Sequence, residues 1–141
     1  MERPAGFIQV LVPSQVLTAS GNSGPLALNF PPNDASFIIQ TTAASGTSPT
    51  LGVHLQTSLD GGNTWIDFAN CTQITGNVTY WIKWSSRNFS NQQVPPVVSG
   101  DTLLAASQTI NGPIVPSMIR VKWAIGGTTP SFTLTVTAIL N

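Results

Sequence analysis

Charge is what this chain has least of. Only five of its 141 residues are Lys or Arg and five are Asp or Glu, 7% in all, where a soluble domain carries about 25%. With no net charge there is no basic stripe to neutralise phosphates, so no nucleic-acid partner is expected. Cysteine is as scarce: Cys71 stands alone, which excludes a disulfide framework and a cysteine metal quartet. His54 is the only histidine. No apolar run reaches the length of a membrane-spanning helix, and no membrane partner is expected. Met1–Gly6 lacks the apolar core of a signal peptide, so the chain is expected to be made in a cytoplasm and not exported. The sequons at Asn70, Asn77 and Asn88 then carry no meaning. Helical periodicity is missing throughout.

Ser and Thr fill the gap, 31 of them, beside 41% hydrophobic residues. An uncharged polar surface costs little to desolvate, and neutral copies do not repel one another. That fits a chain packed in an assembly, although strands that favour Thr would account for it too. The few charges are uneven. Glu2, Asp34, Asp60 and Asp67 face Arg3 in the first half, whereas Lys83, Arg87, Arg120 and Lys122 face Asp101 in the second.

Along the chain, residues 1–6 read as an arm, because Pro4 and Gly6 oppose regular structure. Alternating or contiguous apolar residues then predict short strands. They cover 7–17, 26–30, 36–42, 50–57, 64–69, 78–84 and 101–107, with a closing pair at 119–125 and 132–140. Phe37, Ile38 and Ile39 read as buried together. Ala43–Pro49 reads as a connection, and Gly126–Ser131 as the turn of a long amphipathic C-terminal hairpin. Residues 85–100 form a long polar loop of the kind that is functional or disordered. The expected fold is all-β: a single β-sandwich or jelly-roll-like domain over 7–141, with about eight or nine antiparallel strands and an N-terminal arm.

The best-defined stretch is Ser58-Leu59-Asp60-Gly61-Gly62-Asn63-Thr64-Trp65. Asp-Gly and Gly-Asn are turn dipeptides, since Gly accepts positive φ and Asp or Asn side chains bond nearby backbone. The stretch resembles the Asp-box, a Ser-x-Asp-x-Gly-x-Thr-Trp hairpin of sialidases and other β-rich proteins. Ser58, Asp60, Gly62, Thr64 and Trp65 fill every fixed position. That resemblance implies a scaffold hairpin remote from chemistry, with Trp65 folded back over the turn or into the core.

Chemistry is hard to find. A nucleophilic hydrolase needs a base and an orienter, and His54 lies mid-strand with no nucleophile elbow nearby. Asp60 and Asp67 are close on the hairpin, but one is a turn residue and the other a strand position, not two acids across a cleft. No ligand set for a metal emerges, and no cofactor is expected. The chain does not read as an enzyme.

Surface remains. Trp81 alternates against Val78, Tyr80, Ile82 and Trp84 and should point outward beside Lys83, as an interface anchor, a side chain under the 85–100 loop, or a sugar platform. Phe89 and Val94 give that loop apolar points, and Arg3 and Pro4 sit in an arm able to lie on a neighbour. With Arg87, Arg120 and Lys122, these are the candidate interface residues.

Two stretches, Ser58–Phe68 and Arg120–Val136, resemble small β-sandwich virion proteins of tailed bacteriophages. The resemblance implies a capsid decoration (cement) protein in the virion, commonly trimeric, whose partners are the major capsid protein and copies of itself. A tail adhesin that binds carbohydrate, or another tail or baseplate component, is the alternative.

Overall fold

The structure, a computed structural model, describes residues 7–28, 32–71, 73–85, 108–109 and 118–141. The arm at 1–6, the loop at 86–100 and the strand expected at 101–107 lie outside them. Among the described residues eight strands run in chain order: β1 Phe7–Leu17, β2 Gly21–Asn22, β3 Leu26–Ala27, β4 Asp34–Thr57, β5 Ile66–Asn70, β6 Val78–Ser85, β7 Gln108–Thr109 and β8 Met118–Leu140. All join one antiparallel sheet, and no described residue is helical. The chain is all-β.

β4 and β8 are the axis. They pair from Ala35↔Leu140 to Thr57↔Ile119. β1 flanks the C-terminal half of β8, while β2 and β3 flank its N-terminal half. β6 lies along the first part of β4, and β5 along its last residues.

Two expectations are corrected here. Ala43–Pro49 is not a connection, and Gly126–Ser131 is not a hairpin turn; both lie inside the long strands. The C-terminal segments at 119–125 and 132–140 are therefore one strand, each half paired with β4 rather than with the other. The reason is that the two Gly- and Pro-containing stretches answer one another. Gly46-Thr47-Ser48-Pro49 lies against Gly127-Thr128-Thr129-Pro130, with Thr47 opposite Thr128. Gly46 and Ser48 have φ of 114° and 48°, and Gly127 and Thr129 have 104° and 48°. The pairs Ser45↔Ser131 and Thr50↔Gly126 exchange places under the same local two-fold. Each strand carries register shifts there, so the ladder kinks without ending.

Burial follows the two-residue period of a strand in the first part of β4 and in the C-terminal half of β8, whereas Leu51–Thr57 is buried on both faces. Phe37, Ile39 and Thr41 point inward with Leu134, Val136 and Ala138, and Val53 and Leu55 with Val121 and Ile119. Ile38 departs from expectation: it faces out, because the residue between two inward neighbours must. A straight strand as long as β4 would span roughly 80 Å. Yet the ring of Phe37, near its start, lies 5.5 Å from that of Phe68 on β5, which borders its far end. The kinked strands bring both halves of the sheet to one core, and the two rings close it.

Candidate functional site

The turn between β4 and β5 is set by side chains reaching back to backbone. Ser58 Oγ donates to Asp60 Oδ1 at 2.9 Å and accepts the Gly62 amide at 2.8 Å. The Thr64 amide donates to the same Asp60 oxygen at 2.7 Å. That bond, with those from the Thr64 and Ser58 side chains, holds the Asp60 carboxyl below its usual range. Gly61 and Gly62 take φ of 75° and 99°, where a side chain would be strained. Trp65 lies half-buried back over the turn, its Nε1 donating to the Gly62 carbonyl at 3.0 Å.

From Trp65 a polar chain runs inward. The Arg120 guanidinium stacks over the Trp65 ring, 4.4 Å from its centroid, and its Nε donates to Gln56 Oε1 at 2.8 Å. Partial burial pulls the Arg120 pKa down, and the nearby Asp67 charge opposes that. Gln56 Nε2 donates to Asp67 Oδ1 at 2.9 Å. His54 Nδ1 meets Asp67 Oδ2 at 2.7 Å, and Asn70 Nδ2 reaches the same oxygen at 3.3 Å. The carboxylate accepts, so Nδ1 carries the hydrogen. His54, Asp67 and Asn70 are fully buried, as Gln56 nearly is. Among the described residues, His54 Nε2 and Asn70 Oδ1 have no hydrogen-bond partner.

A His–Asp pair is the start of a general-base arrangement, but that chemistry needs Nε2 within reach of a substrate. Here both side chains are sealed from solvent, and the contacts fasten the hairpin to the sheet. Asp60 sits exposed at the turn and Asp67 inside, so the two acids do not share an environment. Among the described residues no group of three or more His, Cys, Asp or Glu could hold a metal.

Of the candidate interface residues, Arg3, Pro4, Arg87, Phe89 and Val94 lie outside the described residues. Arg120 belongs to the polar chain just traced. Lys122 follows two positions on, half-buried opposite His54. Trp81 and Lys83 stand on the other half of the sheet, at its surface. Trp81 is 65% exposed, with the Lys83 ammonium 4.4 Å from its ring centroid.

Sequence reasoning missed what surrounds Trp81. Register places Trp81 opposite Ile38, Ile38 opposite Thr137, and Thr137 opposite Val10, in one row across four strands. The next row is Lys83, Ser36, Ile139 and Ile8. Ile8, Val10 and Ile38 are 71%, 49% and 37% exposed. Charges on this face, among the described residues, are Lys83 and Asp34, both toward one end. Alternation gave the outward direction of Trp81, but not that of Ile38, and only pairing assembles the rows.

No family model, curated protein or solved structure matches the chain.

Proposed function

We propose that the protein is a non-enzymatic virion structural protein of a tailed bacteriophage, a head decoration subunit that binds the major capsid protein and stabilises the shell. The two halves of its sheet serve as the layers of a β-sandwich, with one layer turned to the partner. The observation that carries this reading is the outer face of β6, β4, β8 and β1. Ile8, Val10, Ile38 and Trp81 lie exposed on it among Thr side chains, with charge, among the described residues, only at one end. Exposed apolar residues on three of these four strands mark an interaction surface, and a face this poor in charge suits a lasting protein contact. The likeness of Ser58–Phe68 and Arg120–Val136 to phage virion proteins supplies the setting. The sealing of His54 and Asp67 agrees with a role without catalysis.

The test is to add purified protein to expanded capsids that lack it. It should bind and raise their resistance to heat and dilution, and Trp81→Glu should abolish binding while the fold persists. Failure to bind, with heat and dilution resistance unchanged, sinks the proposal.

One observation favours a second reading, a carbohydrate-binding tail adhesin. A groove lined by Gln40, Thr41, Thr42, Asn77, Val78 and Thr79 runs along β4 and β6, the strands that carry Ile38 and Trp81. Hydroxyl and amide groups beside an exposed aromatic ring suit a sugar. A glycan array left blank by the wild-type protein removes it.

A further inference from the structure

From the geometry of β1 we infer that two copies of this chain pair edge to edge, antiparallel, through Phe7–Val10. This contact is independent of the virion reading. β1 bonds to β8 along one side, and among the described residues no strand pairs with its other side. Successive amides of a strand point to opposite edges, so half the N–H and C=O groups of β1 face outward and suit another strand. Proteins ordinarily block such an edge with charge, proline or bulges. The eleven residues of β1 contain no charged side chain. Proline and bulges are present, but only from the middle onward: Pro13 is the sole proline, and the register shifts fall between Val10 and Val12 and between Val12 and Gln15. Among the described residues, the first part of the strand is left open.

A second copy is the occupant that the geometry suits. Antiparallel pairing about a two-fold axis lets one segment serve as both partners, so a single sequence supplies every group the contact needs. A strand without charge gives a partner of opposite sign nothing to grip, and it gives an identical copy nothing to repel. The axis stands perpendicular to the sheet. The outer face therefore continues across the junction into that of the copy. Ile8 and Val10, 71% and 49% exposed in one chain, gain cross-strand neighbours there.

The experiment measures mass by light scattering over a concentration series up to about 1 mM, the range of weak association. Three proteins are compared: wild type, Val10→Lys, which sets a charge beside the open edge, and Trp81→Ala, on a strand separated from β1 by β4 and β8. The wild-type mass should rise with concentration, Val10→Lys should fall to half the wild-type mass at the top of the series, and Trp81→Ala should follow wild type. Amide exchange in the wild type should slow with concentration at alternate residues of Phe7–Val10, a pattern that a contact through side chains alone does not give. The inference is overturned if wild type stays monomeric throughout or Val10→Lys keeps the wild-type mass. It is equally overturned if Trp81→Ala removes the association, or if the β1 amides exchange at rates independent of concentration. Capsid binding by a wild type that stays monomeric throughout the series would end the edge pairing and leave the proposed function standing.

Discussion

Asp67 holds His54 by a 2.7 Å contact between two side chains that solvent does not reach. The same carboxylate accepts from Gln56 and Asn70, so one acid satisfies three donors inside the fold. Removing the acceptor strands all three, and a buried donor left unpaired costs more than the bond was worth. Asp67→Ala should therefore lower stability by about 3–5 kcal/mol, the range for breaking a buried charged network from one side. Urea unfolding gives the number. A loss below about 1 kcal/mol would mean that the donors find other partners or water.

The paired corners predict a second sensitivity. A Cβ on Gly46 would fall 2.7 Å from the Thr129 carbonyl oxygen, and one on Gly127 would fall 2.6 Å from that of Ser48. Both glycines also hold positive φ. Gly46→Ala and Gly127→Ala should each destabilise by about 1–3 kcal/mol, and the double variant should depart from their sum because the sites share one corner. Equal and additive losses of a few tenths would show a corner looser than its geometry.

Acid should loosen the β4–β5 turn through Asp60. Its folded pKa is below the ordinary 3.8, chiefly through the Thr64 amide. A depressed carboxyl favours the folded state above its unfolded pKa, and that favour is lost as pH falls through the folded value. The stability gap between wild type and Asp60→Asn should then be constant at neutral pH and shrink below about pH 4. Denaturation midpoints from pH 7 to 3 test it, and a gap that widens in acid reverses the sign.

Cys71 is buried, and burial pushes its thiol up to about 12. Thiolate is the reactive form. At pH 8 a thiol reagent should leave the folded protein unlabelled and label it fully in denaturant. Rapid labelling of native protein would place the sulfur at a surface.

Much of this was legible beforehand, for physical reasons that differ by element. The Ser58–Trp65 hairpin could be read because its bonds are local, each spanning four residues or fewer. The opposite faces of His54 and Leu55 could be read because strand periodicity is local too. The corner could not. Gly46 and Gly127 are turn residues in isolation, and only the 80 residues between them, folded back, make each the reason for the other. Asp67 hid similarly: its partners become neighbours through the β4–β5 register, which skips Phe68 between the pairs Gln56↔Asp67 and Leu55↔Ala69. The hairpin's anchoring Gln56 and Asp67 could have been paired by counting back from the turn, but the skipped residue could not.

Trp65 decides whether the hairpin is scaffold or site. Its ring stacks under Arg120, which in turn holds Gln56, so it is the outermost link of the buried polar chain. Trp65→Ala removes the ring, its bond to the Gly62 carbonyl and the stacking surface together. The expected loss is about 1–3 kcal/mol, with a coupling to Arg120→Ala of about 0.5–2 kcal/mol in a double-mutant cycle. Binding to capsids and self-association should survive in the folded fraction, because Trp81 and β1 border the other half of the long strands. If Trp65→Ala instead keeps full stability and loses only partner binding, the ring contacts the partner, and the stacking with Arg120 shapes an interface rather than a fold.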